Sequence, residues 1–96
     1  MPKYVMLTTL TARGVQTLQS NPDRLREVNR DVEEFGARVL HQWAMIGAYD
    51  FLNIVEAPDD MTIARVSAQL SSRGTVRIMT MPAAPIDEFI AGLRGT

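Results

Sequence analysis

Ninety-six residues, with ten Lys plus Arg against eleven Asp plus Glu and no cysteine, describe one domain spanning 1–96 with no room for a separate cofactor-binding domain. A formal charge of −1 with no basic cluster argues against nucleic acid and anionic membrane as partners, and the lack of Cys removes disulfides, thiolate nucleophiles and Cys-based metal sites. The apolar runs fall far short of the ~18 residues a membrane span needs, so the chain reads as a mature cytoplasmic protein.

Tyr4–Leu10 is apolar, aromatic and β-branched without Gly or Pro, the pattern of a buried first strand. Thr11 is placed to N-cap a short helix through Val15 and Leu18, and Asn21-Pro22-Asp23 caps and restarts it. Leu25, Val28, Val32 and Phe35 then recur at helical spacing with charged residues outside, and Gly36 is the stop. Ala37–Ile46 and Tyr49–Glu56 read as antiparallel strands joined by a tight Gly47-Ala48 turn. Asp59 or Asp60 opens a further helix with Ile63, Val66 and Leu70 inside, ended by Gly74. Thr75–Met81 is the fourth strand, and after Pro82 and Pro85 the segment Ile86–Leu93 forms a short helix.

Two strand-helix-strand halves with right-handed crossovers predict a ferredoxin-like α+β fold, βαββαβ, with sheet order 4-1-3-2 and two helices on one face of a four-stranded antiparallel sheet. Alternation then assigns the faces. Leu52, Ile54, Val76 and Ile78 are expected under the helices. Tyr49, Phe51, Asn53 and Val55, with Arg77, Met79 and Met81, are expected on the open face, joined by His41, Trp43 and Met45 and by Tyr4, Met6 and Thr8. So apolar a face requires cover, and a domain this small gains core by pairing with a copy of itself.

The tetrapeptide Gly47-Ala48-Tyr49-Asp50 resembles the hallmark of the GYD domain family. The resemblance extends through Thr11-x-x-Gly14, Arg24, Gly36, Glu56-Ala57-Pro58-Asp59-Asp60 and Gly74 before the last strand. It implies a dimeric α/β barrel, a superfamily that also holds cofactor-independent monooxygenases, haem-degrading enzymes, isomerases and effector-sensing modules. The family itself implies no particular activity.

Candidate ligand-binding residues are Tyr49, Phe51, Asn53, His41, Trp43, Arg77 and Met79, while Gly47, Tyr49 and Asp50 form the turn motif with a structural role foremost. His41 is the sole histidine, and with no acidic pair spaced to join it a metal site is not expected. No Gly-rich phosphate loop or nucleophile elbow is present, and no cofactor is called for. The leading reading is a homo-oligomeric module that binds or senses a small apolar or aromatic molecule between its sheets. The alternative is a cofactor-independent monooxygenase or isomerase in which Tyr49, Asn53 or His41 positions the substrate. Gly47-x-Tyr49-x-Phe51 mimics part of an RNA-recognition signature, but Ile46 stands where a basic residue belongs.

Overall fold

The computed structural model describes residues 1–95; Thr96, the last residue of the expected domain, lies outside the described residues. Its elements run β1 (Lys3–Leu10), α1 (Ala12–Ser20), α2 (Arg24–Glu34), β2 (Arg38–Ala44), β3 (Phe51–Glu56), α3 (Asp60–Ser71), β4 (Val76–Ala83) and α4 (Ile86–Arg94). The strands form one antiparallel sheet ordered β2-β3-β1-β4. This is the ferredoxin-like α+β order that right-handed crossovers impose. The first crossover carries two helices, because Asn21-Pro22-Asp23 stops the first: the Asn21 N–H donates back to the Thr17 carbonyl at 2.9 Å, and Pro22 has no N–H with which to continue.

Local chemistry fixes the helix ends. The Thr11 hydroxyl accepts the Gly14 N–H (3.2 Å) and donates to the Gly74 carbonyl (2.8 Å), while the Thr11 N–H donates to the Thr75 carbonyl (3.0 Å). One residue thus caps α1 and latches it to the segment before β4. Asp59 caps α3 by accepting the Thr62 N–H (2.8 Å) and hydroxyl (2.7 Å). Those two donors hold its carboxyl below the ordinary carboxylate range, and nearby Arg65 adds to this against the opposing effect of burial. After α2, Gly36 adopts φ +100°, which lets the Ala37 N–H reach the Val32 carbonyl at 3.1 Å.

Val32, Ile63, Val66 and Leu70 from the helices pack on Tyr4, Met6 and Val55 of the sheet. Tyr4, Met6 and Thr8 are therefore buried under the helices, not on the open face as expected. The phase of β1 leaves Val5 and Leu7 for the other side, and both sets are apolar enough to be buried.

Candidate functional site

The motif turn is longer than Gly47-Ala48 alone: Met45–Asp50 joins β2 to β3. The Met45 N–H donates to the Asp50 carbonyl at 2.8 Å, and Gly47 sits near the tip with φ +136°, a region that favours glycine. The Asp50 N–H donates to the Thr8 carbonyl at 2.8 Å, and its carboxylate accepts the Leu10 N–H at 2.7 Å. Asp50 therefore clamps the turn onto the end of β1. The Tyr49 hydroxyl points toward Met79, 3.9 Å from its sulfur.

The seven candidate ligand residues do not form one site. Residues directly opposite each other in an antiparallel pair share a face, and β2 pairs Trp43 with Leu52 and His41 with Ile54. Leu52 and Ile54 consequently share the open face with His41 and Trp43, whereas Phe51, Asn53 and Val55 are buried beneath the helices. The expected face assignment of β3 is thus inverted. A bulge between Val39 and His41 absorbs Leu40, so Val39 faces the helices while His41 faces away. Arg77, Met79 and Met81 lie on the open face, where Met79 stands opposite Leu7 and Met81 opposite Val5. Trp43 stacks on His41 with ring centres 5.5 Å apart. Trp43 remains 52% exposed and Met79 49%.

Phe51 and Asn53 instead line a cavity of about 130 Å³ between the sheet and the helices. Its walls are mainly Met6, Leu18, Leu25, Val28, Val39 and Ile78, with Leu10 and Gly14 at the start of α1. Asn53 supplies polarity to this apolar chamber and is itself anchored. Its amide donates to the Met6 carbonyl (3.3 Å) and the Thr8 hydroxyl (3.4 Å), and its oxygen accepts from Gln42 (2.8 Å). The Gln42 oxygen in turn accepts from Asn29 (2.9 Å), extending the chain of amides from the sheet to α2. Two arginines also line the cavity, and both are neutralised: Arg24 by Glu27 at 2.9 Å and Arg73 by Asp31 at 2.8 Å. A chamber whose cations are already paired suits an uncharged guest, since an anion would have to compete with an existing carboxylate.

Asn29, Gln42, Arg24, Arg73 and Thr8 are not among the site residues that the sequence singles out. Gln42 carries a readable signal, because a polar residue between His41 and Trp43 in a strand must take the opposite face and there needs a polar partner. The Tyr4 hydroxyl donates to Asp60 at 2.5 Å, at the far end of the sheet from the turn. That hydrogen bond pushes the phenol up to about 12, with burial and the charges of Asp60 and Asp59 acting in the same direction. No cluster of three or more His, Asp or Glu suited to a metal ion occurs among the described residues.

A ferredoxin-like sheet with one face against helices and the other open, closed by a Gly-x-Tyr-Asp turn whose aspartate clamps β1, places the molecule in the class of small ferredoxin-like α+β folds. The chain belongs to the GYD domain family, whose model matches residues 4–93. It is 48% identical over 95 residues to a protein of Thermus thermophilus named glutamine synthetase and cystathionine beta-lyase binding protein, covering 98% of this chain and all of that one. The crystal structure of TTHA0845, also from Thermus thermophilus, superposes with a TM-score of 0.56 at 21% identity, over 88% of this chain and 95% of that one. That likeness concerns the fold. No helix among the described residues is long and apolar enough to cross a membrane.

Proposed function

We propose that this protein is a homo-oligomeric binding module that holds a compact, uncharged, largely apolar molecule in the chamber between its sheet and helices. The observation that carries the reading is the cavity itself: about 130 Å³ and mostly apolar, with the Asn53, Gln42 and Asn29 amides and two carboxylate-paired arginines in its wall. An apolar cavity of roughly 150 Å³ accommodates benzene, so a single-ring compound with one hydrogen-bonding group is the size and chemistry that fit. The apolar open face takes a second copy. No group near Asn53 is poised as a base or nucleophile, and binding therefore leads over the monooxygenase or isomerase alternative.

The test is thermal stability across a panel of neutral single-ring phenols, amides and ketones beside matched carboxylates. A neutral ligand at 100 times its Kd contributes about 2.7 kcal/mol, which raises the Tm of a domain this size by ~10 °C or more. Val28→Phe, which occupies the cavity, should abolish the shift. Absence of any neutral binder, or a binder indifferent to Val28→Phe, would refute the assignment.

A second reading rests on the 48% identical relative, whose name records binding to two enzymes. Under that reading this chain binds protein partners of its own. Co-sedimentation of the purified chain with glutamine synthetase and with cystathionine beta-lyase checks it directly, and two independent sedimenting species would rule those partners out.

A further inference from the structure

The final helix is built for an interface that a single chain leaves uncovered. Ile86, Phe89, Ile90 and Leu93 fall at i, i+3, i+4 and i+7, one continuous ridge. None of the helix is buried: Ile86 is 67% exposed, Phe89 52% and Leu93 70%. The isolated chain is correspondingly extended. Its radius of gyration is 14.5 Å with a long axis of 51 Å, against about 12.5 Å for a compact chain of this length. Its accessible surface is 6477 Å², about 1,000 Å² above what a compact monomer of this mass exposes.

From these observations we infer that the apolar ridge of α4 is an arm that docks on a second copy of this chain, against the border of its open sheet face. The inference rests on the sheet-face pairing proposed above and adds to it the element that makes the pairing stable. The area argument commits the occupant. With full side chains of about 150–250 Å², the open-face residues offer roughly 500 Å² per copy and the α4 ridge roughly 400 Å². Sheet faces alone would bury about 1,000 Å² in total, the lower limit for a specific interface. With both arms the total approaches 1,800 Å², within the range of stable complexes. Charge agrees with the area. Asp87 lies in the first turn on the flank of the ridge, and the open sheet face carries Arg38 and Arg77; none of these three forms an ion pair among the described residues, whereas Glu88 falls on the side of the helix away from the ridge. Both surfaces belong to every copy, so a two-fold pair covers two arms and two faces at once.

Sedimentation equilibrium of the full chain tests this with the double variant Phe89→Asp/Leu93→Asp, whose sites are exposed and whose helix content is checked by circular dichroism. A dimer in the wild type that weakens roughly 100-fold or more in the variant supports the arm. Concentration-dependent hydrogen-exchange protection of the α4 amides in the unaltered chain provides a second readout, independent of whether the variant folds. If the double variant dimerises like the wild type while Trp43→Glu dissociates, the arm is overturned and sheet-face pairing stands. A wild-type monomer at 100-micromolar order overturns both, and leaves the helix-side cavity to be judged by its own ligand test. Protection of α4 that appears only on adding a different protein also overturns the arm.

Discussion

Gly14→Ala is the perturbation whose consequence follows most directly from the packing of α1. A Cβ at Gly14 would stand 2.1 Å from the Thr75 carbonyl oxygen and 3.1 Å from Leu10 Cδ2. Real contacts of this kind need more than 3 Å, so α1 and the Thr75 segment must separate by about 1 Å. The same carbonyl accepts the Thr11 N–H, and the Thr11 hydroxyl donates to Gly74 next to it. Separation therefore strains or breaks two hydrogen bonds, at about 1 kcal/mol each, on top of ~1–3 kcal/mol for overpacking. Alanine returns up to ~1 kcal/mol through its better helix propensity. The net expectation is a loss of about 2–5 kcal/mol, a Tm lower by ~10 °C or more. Gly92→Ala supplies the internal control, since a Cβ there, in the last turn of α4, meets nothing within 4 Å and should leave stability unchanged or raise it by up to ~1 kcal/mol. Urea unfolding of both variants at equal protein concentration measures the difference. If Gly14→Ala is as stable as Gly92→Ala, the close approach of α1 to the Thr75 backbone is wrong, and so is the reading of Thr11-x-x-Gly14 as a latch.

Gly47→Val should cost roughly 1 kcal/mol or more through its φ of +136°, whereas the same change at Ala48 should cost far less; equal small shifts in urea midpoint would deny strain at the tip. Asp50→Ala removes the charged acceptor of the Leu10 N–H and should destabilise by about 1.5–3 kcal/mol, with Asp50→Asn intermediate; a neutral Asp50→Ala in the same unfolding assay would show that the clamp contributes nothing. For alkaline pH the sign follows from Tyr4, whose phenol is raised from 10.0 to about 12. Between those values the unfolded chain has lost a proton that the folded chain keeps, so the stabilisation, fully present below pH ~10, declines as pH rises toward 12. Tyr4→Phe should flatten that part of the stability profile, and an unchanged slope in the variant would assign it to other groups.

The strand order is legible through the handedness of the two crossovers, and the broken first crossover and the Thr11 cap through short-range chemistry, while for α3 the sequence leaves Asp59 and Asp60 as alternatives and the structure selects Asp59. Pro22 lacks a donor, Thr11 and Asp59 have side-chain acceptors at the required spacing, and Gly36 adopts the φ that a helix stop demands. The face of β3 is different. Phe51 and Val55 on one side, Leu52 and Ile54 on the other, are equally apolar, so hydropathy gives no phase. Asn53 tips the choice outward by its polarity, yet it lies inside because Gln42, Thr8 and the Met6 carbonyl satisfy it. Cross-strand logic resolves what composition leaves open: a hairpin centred on Gly47-Ala48 pairs Trp43 with Leu52, so an outward Trp43 carries Leu52 outward with it.

The inverted strand also changes how the two faces relate to function. Had Phe51 and Asn53 shared the open side with Trp43 and Met79, any ligand would sit in the proposed pairing interface, and binding would be tied to oligomerisation by linkage. Instead the sheet separates them. Asn53 and Gln42 hold the polar end of a chamber on the helix side, while Trp43, Arg77 and Met79 stand on the opposite surface. Adjacent β2 residues make the division sharp, since Gln42 reaches into the chamber and its neighbours His41 and Trp43 stack together on the other face. A ligand in the chamber acts on the open face only by moving the strands that carry both, and the bulge at Leu40 is where β2 has the least ladder to resist such movement.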